Sequence, residues 1–569
     1  MARPSLFPRV HLEYVMRVRF FIPLALLPLA LACTGAGPGA DGGSGDVTVT
    51  LQGQYQDFDP ATSTTTVKPI RYGYAQVVDA NTNAVIASGY LGGNGSAFAS
   101  IPSGRSIYAI ISTAIEVPGA SSTEPVLRGS VKNGSRPASF TNTAAFDAYA
   151  DVTVTSSTVT SSNGTLTVTA TQDSQRRAAA FNAADQMVTY ALGVHAVEPT
   201  LKLPNLHAFF TTSSNVSDLP AVEYQTGGGV LLKDGRAVFT LQLAGNNAIV
   251  ANANDDLNDD GVLVQAYAHQ LFAPRSYPET GSGTTPQSVI RNDNDNGTND
   301  RSVQSEPSLA FQAGFCDFLS GAFRKLNGDT NPQLIQDSYV TSGGSPVIST
   351  FSLTSHTQYS RVAGQGEFYP GSVAISTWGV WNNVLGANAA SLQTLWNNTT
   401  SSAYANGSLT SFPTFLVGLR TTYGSSSATW NNILNEVALE DIPNPTAGYF
   451  AGGALWTDVS LPLSPTPGSF PTYASGIAFD RNQATSFRFV QSSLVPHTIT
   501  LTTTSPGLVL ELLDTFGLYE QTVATSTTNG VLSYGGSSTL PLGTYVVRVR
   551  VDPFRAYSNG TANWSLTIN

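Results

Sequence analysis

The hydrophobic period of the chain changes twice along its length. From residue 47 to about 114 apolar and polar residues alternate in short runs: Val47-Thr-Val-Thr-Leu51, Tyr72 to Val78, Val85 to Tyr90 and Ile107 to Ile111. Gly92-Gly-Asn-Gly95 and Pro102-Ser-Gly104 lie between these runs and supply turn chemistry, so the segment predicts strands joined by tight turns. Residues 115 to 172 stay rich in Thr, Ser and Val and predict further strands. The period then lengthens. Phe181, Ala184, Met187, Val188, Ala191 and Leu192 form one stripe of a helix over 175–192, with Asp173-Ser174 as its cap and Gly193 as its stop. Further helices are predicted at 262–272, 307–325, 371–383, 388–397, 412–423 and 427–438, and a strand over Ala237 to Leu243 precedes the second of the seven helices. Alternation returns near 468, in Ser486 to Val490, His497 to Leu501, Leu508 to Leu513, Ser538 to Leu540, Thr544 to Val551 and Trp564 to Ile568. That pattern predicts a second sandwich.

These shifts predict a multidomain α+β protein: an N-terminal β-sandwich, a mainly helical central domain and a C-terminal β-sandwich. At 569 residues the chain exceeds what one core usually serves, which agrees. The expected division is 47–114 sandwich, 115–172 β-rich connection, 173–450 central domain, 451–467 linker and 468–569 sandwich.

The N-terminal segment speaks to compartment. Met16-Arg-Val-Arg19 followed by the apolar run Phe20 to Ala32 has the charged and hydrophobic regions of a secretory signal, too short to span a bilayer as a mature helix. Residues 1–32 are read as that signal, with Met16 as the true start. Leu29-Ala-Leu-Ala-Cys33 resembles a bacterial lipobox, which implies lipidation of Cys33, and the Gly-rich stretch 34–46 behind it reads with Cys33 as a flexible tether, 33–46. The resemblance implies a cell-envelope lipoprotein at the outer membrane or cell surface; the alternative is ordinary cleavage and a free secreted product. Only Cys316 remains as a second cysteine, so no internal disulfide is expected, and its place on an apolar face with Phe315 and Leu319 predicts a buried, inert thiol. Charged residues make up 11% of the chain and the net charge is -11, a balance that argues against nucleic acid as a partner.

The helix predicted at 262–272 contains Gln265, Ala266 and His269. These stand where the H-E-x-x-H motif has its first His, its Glu and its second His, two imidazoles at i and i+4 for Zn²⁺ and a carboxylate base for the bound water. Asn254 to Gly261 before it and Pro307 to Ser320 after it resemble the acidic stretch and the A-W-S-E-G helix of secreted bacterial zinc metallopeptidases, in which the Glu, here Ala313, is the third zinc ligand. Ser372 to Trp381 resembles a third landmark of that family, with its Asp replaced by Gly379. The resemblance implies a zincin-like central domain with vestigial zinc positions Gln265, Ala266, His269 and Ala313, no catalytic residue and no cofactor. The competing reading is a set of ordinary amphipathic helices. Ala75 to Asp79, Gly89 to Gly95 and Ile101 to Gly104 resemble the prealbumin-like sandwich found beside carboxypeptidases. Pro541-Leu-Gly-Thr-Tyr-Val-Val resembles the bacterial pre-peptidase C-terminal domain.

Asp256, Asn258 and Asp260 also match D-x-N-x-D-G, the front half of a calcium loop, although the twelfth position is Tyr267 rather than Glu. Residues 291–300 form a comparable oxygen-rich run. For both, a solvated turn and a calcium site remain the two readings. The functional expectation is a catalytically inactive, peptidase-like scaffold held to the membrane through its lipid and binding a protein or glycan. The alternatives are a hydrolase using other residues and an adhesive or structural β-rich envelope protein.

Overall fold

The computed structural model describes residues 45–60, 62–119, 124–136, 149–212, 232–233, 236–245, 255–271, 307–340, 346–356, 369–400, 412–440, 442, 457–470, 484–494, 496–503, 508–514, 520–525, 530–534, 542–551 and 562–569. The signal, Cys33 and most of the tether, the run 291–300 and the strand expected at 538–540 lie outside the described residues.

The first strand, β1 (Asp46–Asp59), buries every second residue from Val49 onward, as a strand with one face on a core must. It pairs with β2 (Thr64–Pro69), β5 (Ser96–Pro102) and, in parallel, β10 (Gly164–Ala170). A second sheet is built on β3 (Gly73–Asp79), β4 (Val85–Tyr90), β6 (Ser106–Pro118) and β7 (Pro125–Asn133), with β8 (Thr153–Thr155) and β9 (Val159–Thr160) also on β6. Leu51, Ala99 and Val168 from the first sheet meet Val77, Ala109 and Ile111 from the second in one apolar cluster. The N-terminal region is thus a pair of facing sheets.

Backbone pairing in the second sheet continues past position 172. β11 (Asn205–Thr211) lies parallel to β7, and β13 (Arg236–Ala244) lies parallel to β11, with β12 (Leu232–Lys233) at the edge. The change of period at 173 marks the entry of helices, and the ladder runs on beneath them.

The helix α1 (Arg177–Val197) covers that sheet, and seventeen of its twenty-one residues are buried, so it is enclosed rather than amphipathic. Its run of alanines lets neighbours approach on several sides, and its polar residues find polar partners. Arg71 donates from Nε to Asp185 Oδ1 at 2.5 Å and from Nη2 to Thr189 Oγ1 at 2.8 Å. The expected stop at Gly193 is corrected, because the helix continues through it to Val197. The glycine serves a crossing: a Cβ there would lie 2.2 Å from Cγ of Phe323 on α3 (Pro307–Leu326). At the other end the helix starts two residues later than expected, with Arg176 as its N-cap, and Asp173 accepts N–H bonds from Gln175 and Arg177 in the turn that leads into it.

After α1 come α2 (Asp260–Ala268), which packs on both α1 and α3, and a hairpin of β14 (Leu334–Val340) and β15 (Pro346–Ser352). The remaining helices among the described residues are α4 (Pro370–Gly379), which runs into a π-helical turn over Val380–Val384, α5 (Ala389–Thr400), α6 (Phe412–Tyr423) and α7 (Ala428–Ala438). Each overlaps an expected helix. Phe311, Phe315 and Phe415 join α3 to α6 with ring centroids 5.3–5.7 Å apart, and Cys316 is fully buried beside them.

The C-terminal region forms two further sheets. One has the order β16 (Thr457–Asp458), β18 (Ala484–Gln491), β23 (Gly543–Val551), β20 (Leu508–Asp514) and β21 (Glu520–Thr525); the other has β17 (Leu463–Phe470), β24 (Ala562–Ile568), β19 (Ile499–Thr503) and β22 (Gly530–Tyr534). Phe489, Leu501, Leu510, Val547 and Leu566 share one core. The protein is therefore multidomain α+β, with β-sheets at both ends and helices between.

Gly193→Ala should lower stability by about 1–3 kcal/mol, because the new methyl must displace a packed phenyl ring between two helices. Urea unfolding of the purified variant measures this, and an unchanged midpoint would mean that the α1–α3 crossing gives way freely.

Candidate functional site

The residues before α2 form a single tight turn, Asp256–Asn258, entered from Asp255 and left through Asp259. Three residues make one turn of such a helix, so residues three apart share a side. One side carries Asp255 and Asn258, and the other carries Asp256 and Asp259. The acidic run is thereby split into two groups with different chemistry.

Asp255 is ion-paired with Arg176, and both side chains are almost wholly buried. Arg176 sits just before α1 in the left-handed region at φ 59°, a strained position for a residue with a side chain. Asn258 donates from Nδ2 to Asp255 Oδ2 at 2.9 Å. On the other side, Asp256 Oδ2 accepts the Ala244 N–H at 2.7 Å, at the end of β13. Asp259 accepts from Ser338 twice, the N–H at 2.6 Å and the hydroxyl at 2.9 Å, which ties the turn to β14. Asp337 stands beside Ser338, and one oxygen from each of Asp256, Asp259 and Asp337 lies within 4.8 Å of the others.

Such crowding of carboxylates in a buried place favours the neutral form. Burial pushes Asp256 up to about 8, reinforced by Asp337 and Asp255 and opposed by the Ala244 hydrogen bond. Burial and then Asp337 raise Asp259 well above the usual carboxylate range. Asp255 is raised too, by burial, with Arg176 pulling the other way. The group can either hold protons at neutral pH or offer hard oxygen donors to a divalent cation. Calcium takes six to eight oxygens, and three carboxylates with hydrogen bonds already on Asp256 and Asp259 supply part of that set.

The expected calcium triplet is divided between directions. Asp256 belongs to the three-carboxylate group, Asn258 faces Asp255, and Asp260 Oδ1 accepts from Asn182 Nδ2 at 2.8 Å, toward α1. Asp259 and Asp337 complete the group instead. Asp259 lay in the acidic run and its three-residue spacing from Asp256 was a usable signal; Asp337 comes from a distant hairpin and had none.

The four positions that the resemblance assigns to a vestigial zinc site lie on α2, the turn after it and α3, which pack together. Gln265 and Ala266 are on α2, His269 opens the turn His269–Leu271 that follows, and Ala313 is on α3. The start of α2 is fixed to α3 by Ser320 Oγ donating to the Gly261 carbonyl at 2.6 Å, and the turn at its end also touches α3. Gln265 and His269 are each 8% exposed and Ala266 5%, whereas Ala313 is half-buried. At Gly379, where the resemblance has Asp, a Cβ would come 2.5 Å from Glu436 Oε2, the end of a flexible side chain from α7 that would have to turn aside.

Sequence spacing also missed a polar cluster around Glu440, just after α7. Glu440, fully buried, accepts from Ser372 Oγ at 3.0 Å and meets His356 Nδ1 at 2.9 Å. The serine is buried and bonded to the carboxylate rather than to the imidazole, which is the reverse of a nucleophile–base pair.

Comparison with protein families and with curated proteins gives no match. About a fifth of the chain is similar in structure to solved domains. One is the pre-peptidase C-terminal domain of a collagenase from Bacillus anthracis, at 16% identity and TM-score 0.15, covering 20% of this chain and 93% of that one. Another is PliG of Aeromonas hydrophila, a periplasmic inhibitor of g-type lysozyme, at 16% identity and TM-score 0.14, covering 20% and 95%.

A carboxyl whose folded value is raised stabilises the fold when protonated, so its contribution is complete below the ordinary value of 3.8 and is lost as pH rises through about 8. Asp256→Asn keeps an oxygen for the Ala244 N–H and should flatten the fall in thermal midpoint across that window. The same slope in wild type and variant would show that Asp256 is ionised throughout.

Proposed function

We propose that the chain is a cell-envelope lipoprotein whose central helical domain keeps the frame of a zinc metallopeptidase without its chemistry and acts as a binding or structural scaffold. The observation that carries this reading is burial at positions that lack ligands. A working zinc centre needs three protein ligands and an open fourth position for water and substrate. Here Gln265, Ala266 and His269 are buried and Ala313 is half-buried, and Ala266 and Ala313 offer only methyl groups. The scaffold reading places a protein or glycan ligand outside this region, a membrane contact at a lipidated Cys33, and no nucleic acid against a chain of net charge -11. An active hydrolase built on His356 and Glu440 is disfavoured, because the serine beside them is buried and turned to the carboxylate.

Purified protein should carry far less than one zinc per chain by plasma mass spectrometry, and His269→Ala should not change that content. It should also leave casein and cell-wall glycans untouched. Stoichiometric zinc that disappears with His269→Ala would remove the reading.

Lipidation has its own test. Expressed from Met16 in a Gram-negative host, the chain should partition with membranes, and Cys33→Ala should shift it to the soluble fraction; equal partition of the two would leave the secreted alternative standing.

A further inference from the structure

The N-terminal sandwich meets the helical layer across a polar seam, and Asp57 stands at a core-facing position in it. The inward positions of β1 run Val49, Leu51, Gly53, Tyr55 and Asp57, so a carboxylate takes a place that alternation assigns to an apolar side chain. Asp57 is 8% exposed. Its Oδ2 meets Lys68 Nζ at 2.8 Å, while its buried Oδ1 receives no hydrogen bond. Lys68 is shared, with Asp260 Oδ2 at 3.7 Å from the same nitrogen.

Every element packed against Asp57 contributes to its field. The strand β2 brings Lys68, α1 brings Asp185, the start of α2 brings Asp260, and β1 itself brings Tyr55. Arg71 closes on Asp185, which also takes Tyr55 Oη at 3.1 Å. The turn Asp256–Asn258 touches β1 too, with Asp256 turned toward Ala244. Three carboxylates, Asp57, Asp185 and Asp260, thus share two cations, Lys68 and Arg71.

We propose that this seam is a proton-operated joint: a proton on Asp57 holds the sandwich against α1 and α2, and its loss loosens them. A neutral Asp57 leaves Lys68 to Asp260 and gains an O–H donor. An ionised Asp57 leaves one buried oxygen without a donor and adds a third negative charge to the seam, at a desolvation cost that local opening relieves. The direction of titration agrees. Burial, then Asp260, raise Asp57 to about 6 against the pull of Lys68, so closure is complete below the ordinary value of 3.8 and is lost as pH rises through about 6.

Hydrogen exchange of the full chain between pH 4 and 8, corrected for intrinsic rates, reads the joint through peptides of β2, with the C-terminal sheets as internal reference. The opening constant of β2 should rise ~tenfold per pH unit up to about 6 and level off above it, because one proton is released per opening. The reference should not follow. Asp57→Asn should abolish the rise, and Asp256→Asn should leave it. Lys68→Met removes the group that lowers Asp57, so the plateau should move to higher pH; this variant decides the matter if Asp57→Asn fails to fold. Equal slopes in wild type and Asp57→Asn, or a plateau unmoved by Lys68→Met, would overturn the joint.

Discussion

A helix buried around its whole circumference requires that every neighbour come close, and α1 imposes that condition on the rest of the molecule. Its alanines and Gly193 remove side-chain bulk where β-sheet and helices press in, and Phe323 of α3 fills the space that the glycine leaves. A buried helix also cannot shed its polar groups into water, so Asn182, Asp185 and Thr189 must be met by partners from elsewhere. Those partners are Arg71 and Tyr55 from the sandwich and Asp260 from the start of α2. The seam between domains therefore follows from enclosing α1.

The same enclosure explains the acidic turn. Asp255, Asp256 and Asp259 would ordinarily lie on a solvated loop, yet here they sit under the hairpin and beside the end of β13. Each answers burial differently: Asp255 through a buried guanidinium, Asp256 through one backbone N–H and Asp259 through two bonds from Ser338. Burial, reinforced by crowding with Asp337, makes the second and third the groups whose charge is hardest to keep. Of the polar side chains offered to calcium, Asp256 thus fastens to the end of β13, Asn258 to Asp255 and Asp260 to α1, and among the described residues a cation-capable group forms where Asp256, Asp259 and Asp337 converge.

Much of the fold was legible because local chemistry and tertiary need agreed. The helix Phe412–Tyr423 has an apolar stripe and Pro413 in its first turn, and its expected and observed limits coincide. The helix expected at 427–438 is observed as Ala428–Ala438, with Ser427 serving as its cap by accepting the Trp430 N–H at 3.0 Å. Gly193 misled because a glycine reads the same whether it ends a helix or admits a ring. Strands such as Asn205–Thr211 were missed because a strand buried on both faces shows an apolar run without alternation.

By itself the sequence determined the order of architectures, β then helical then β, because periodicity is a local property that survives in a one-dimensional reading. It also determined that positions 266 and 313 carry no ligand and that Cys316 belongs to a core, since residue identity limits chemistry wherever the residue lands. Only the tertiary structure decided which carboxylates meet, that Asp57 stands where a core residue belongs, and that one sheet runs on beneath α1. Those facts depend on pairings between residues far apart in the chain, such as Asp259 with Asp337 and β7 with β11, and no local pattern encodes a distance across a core.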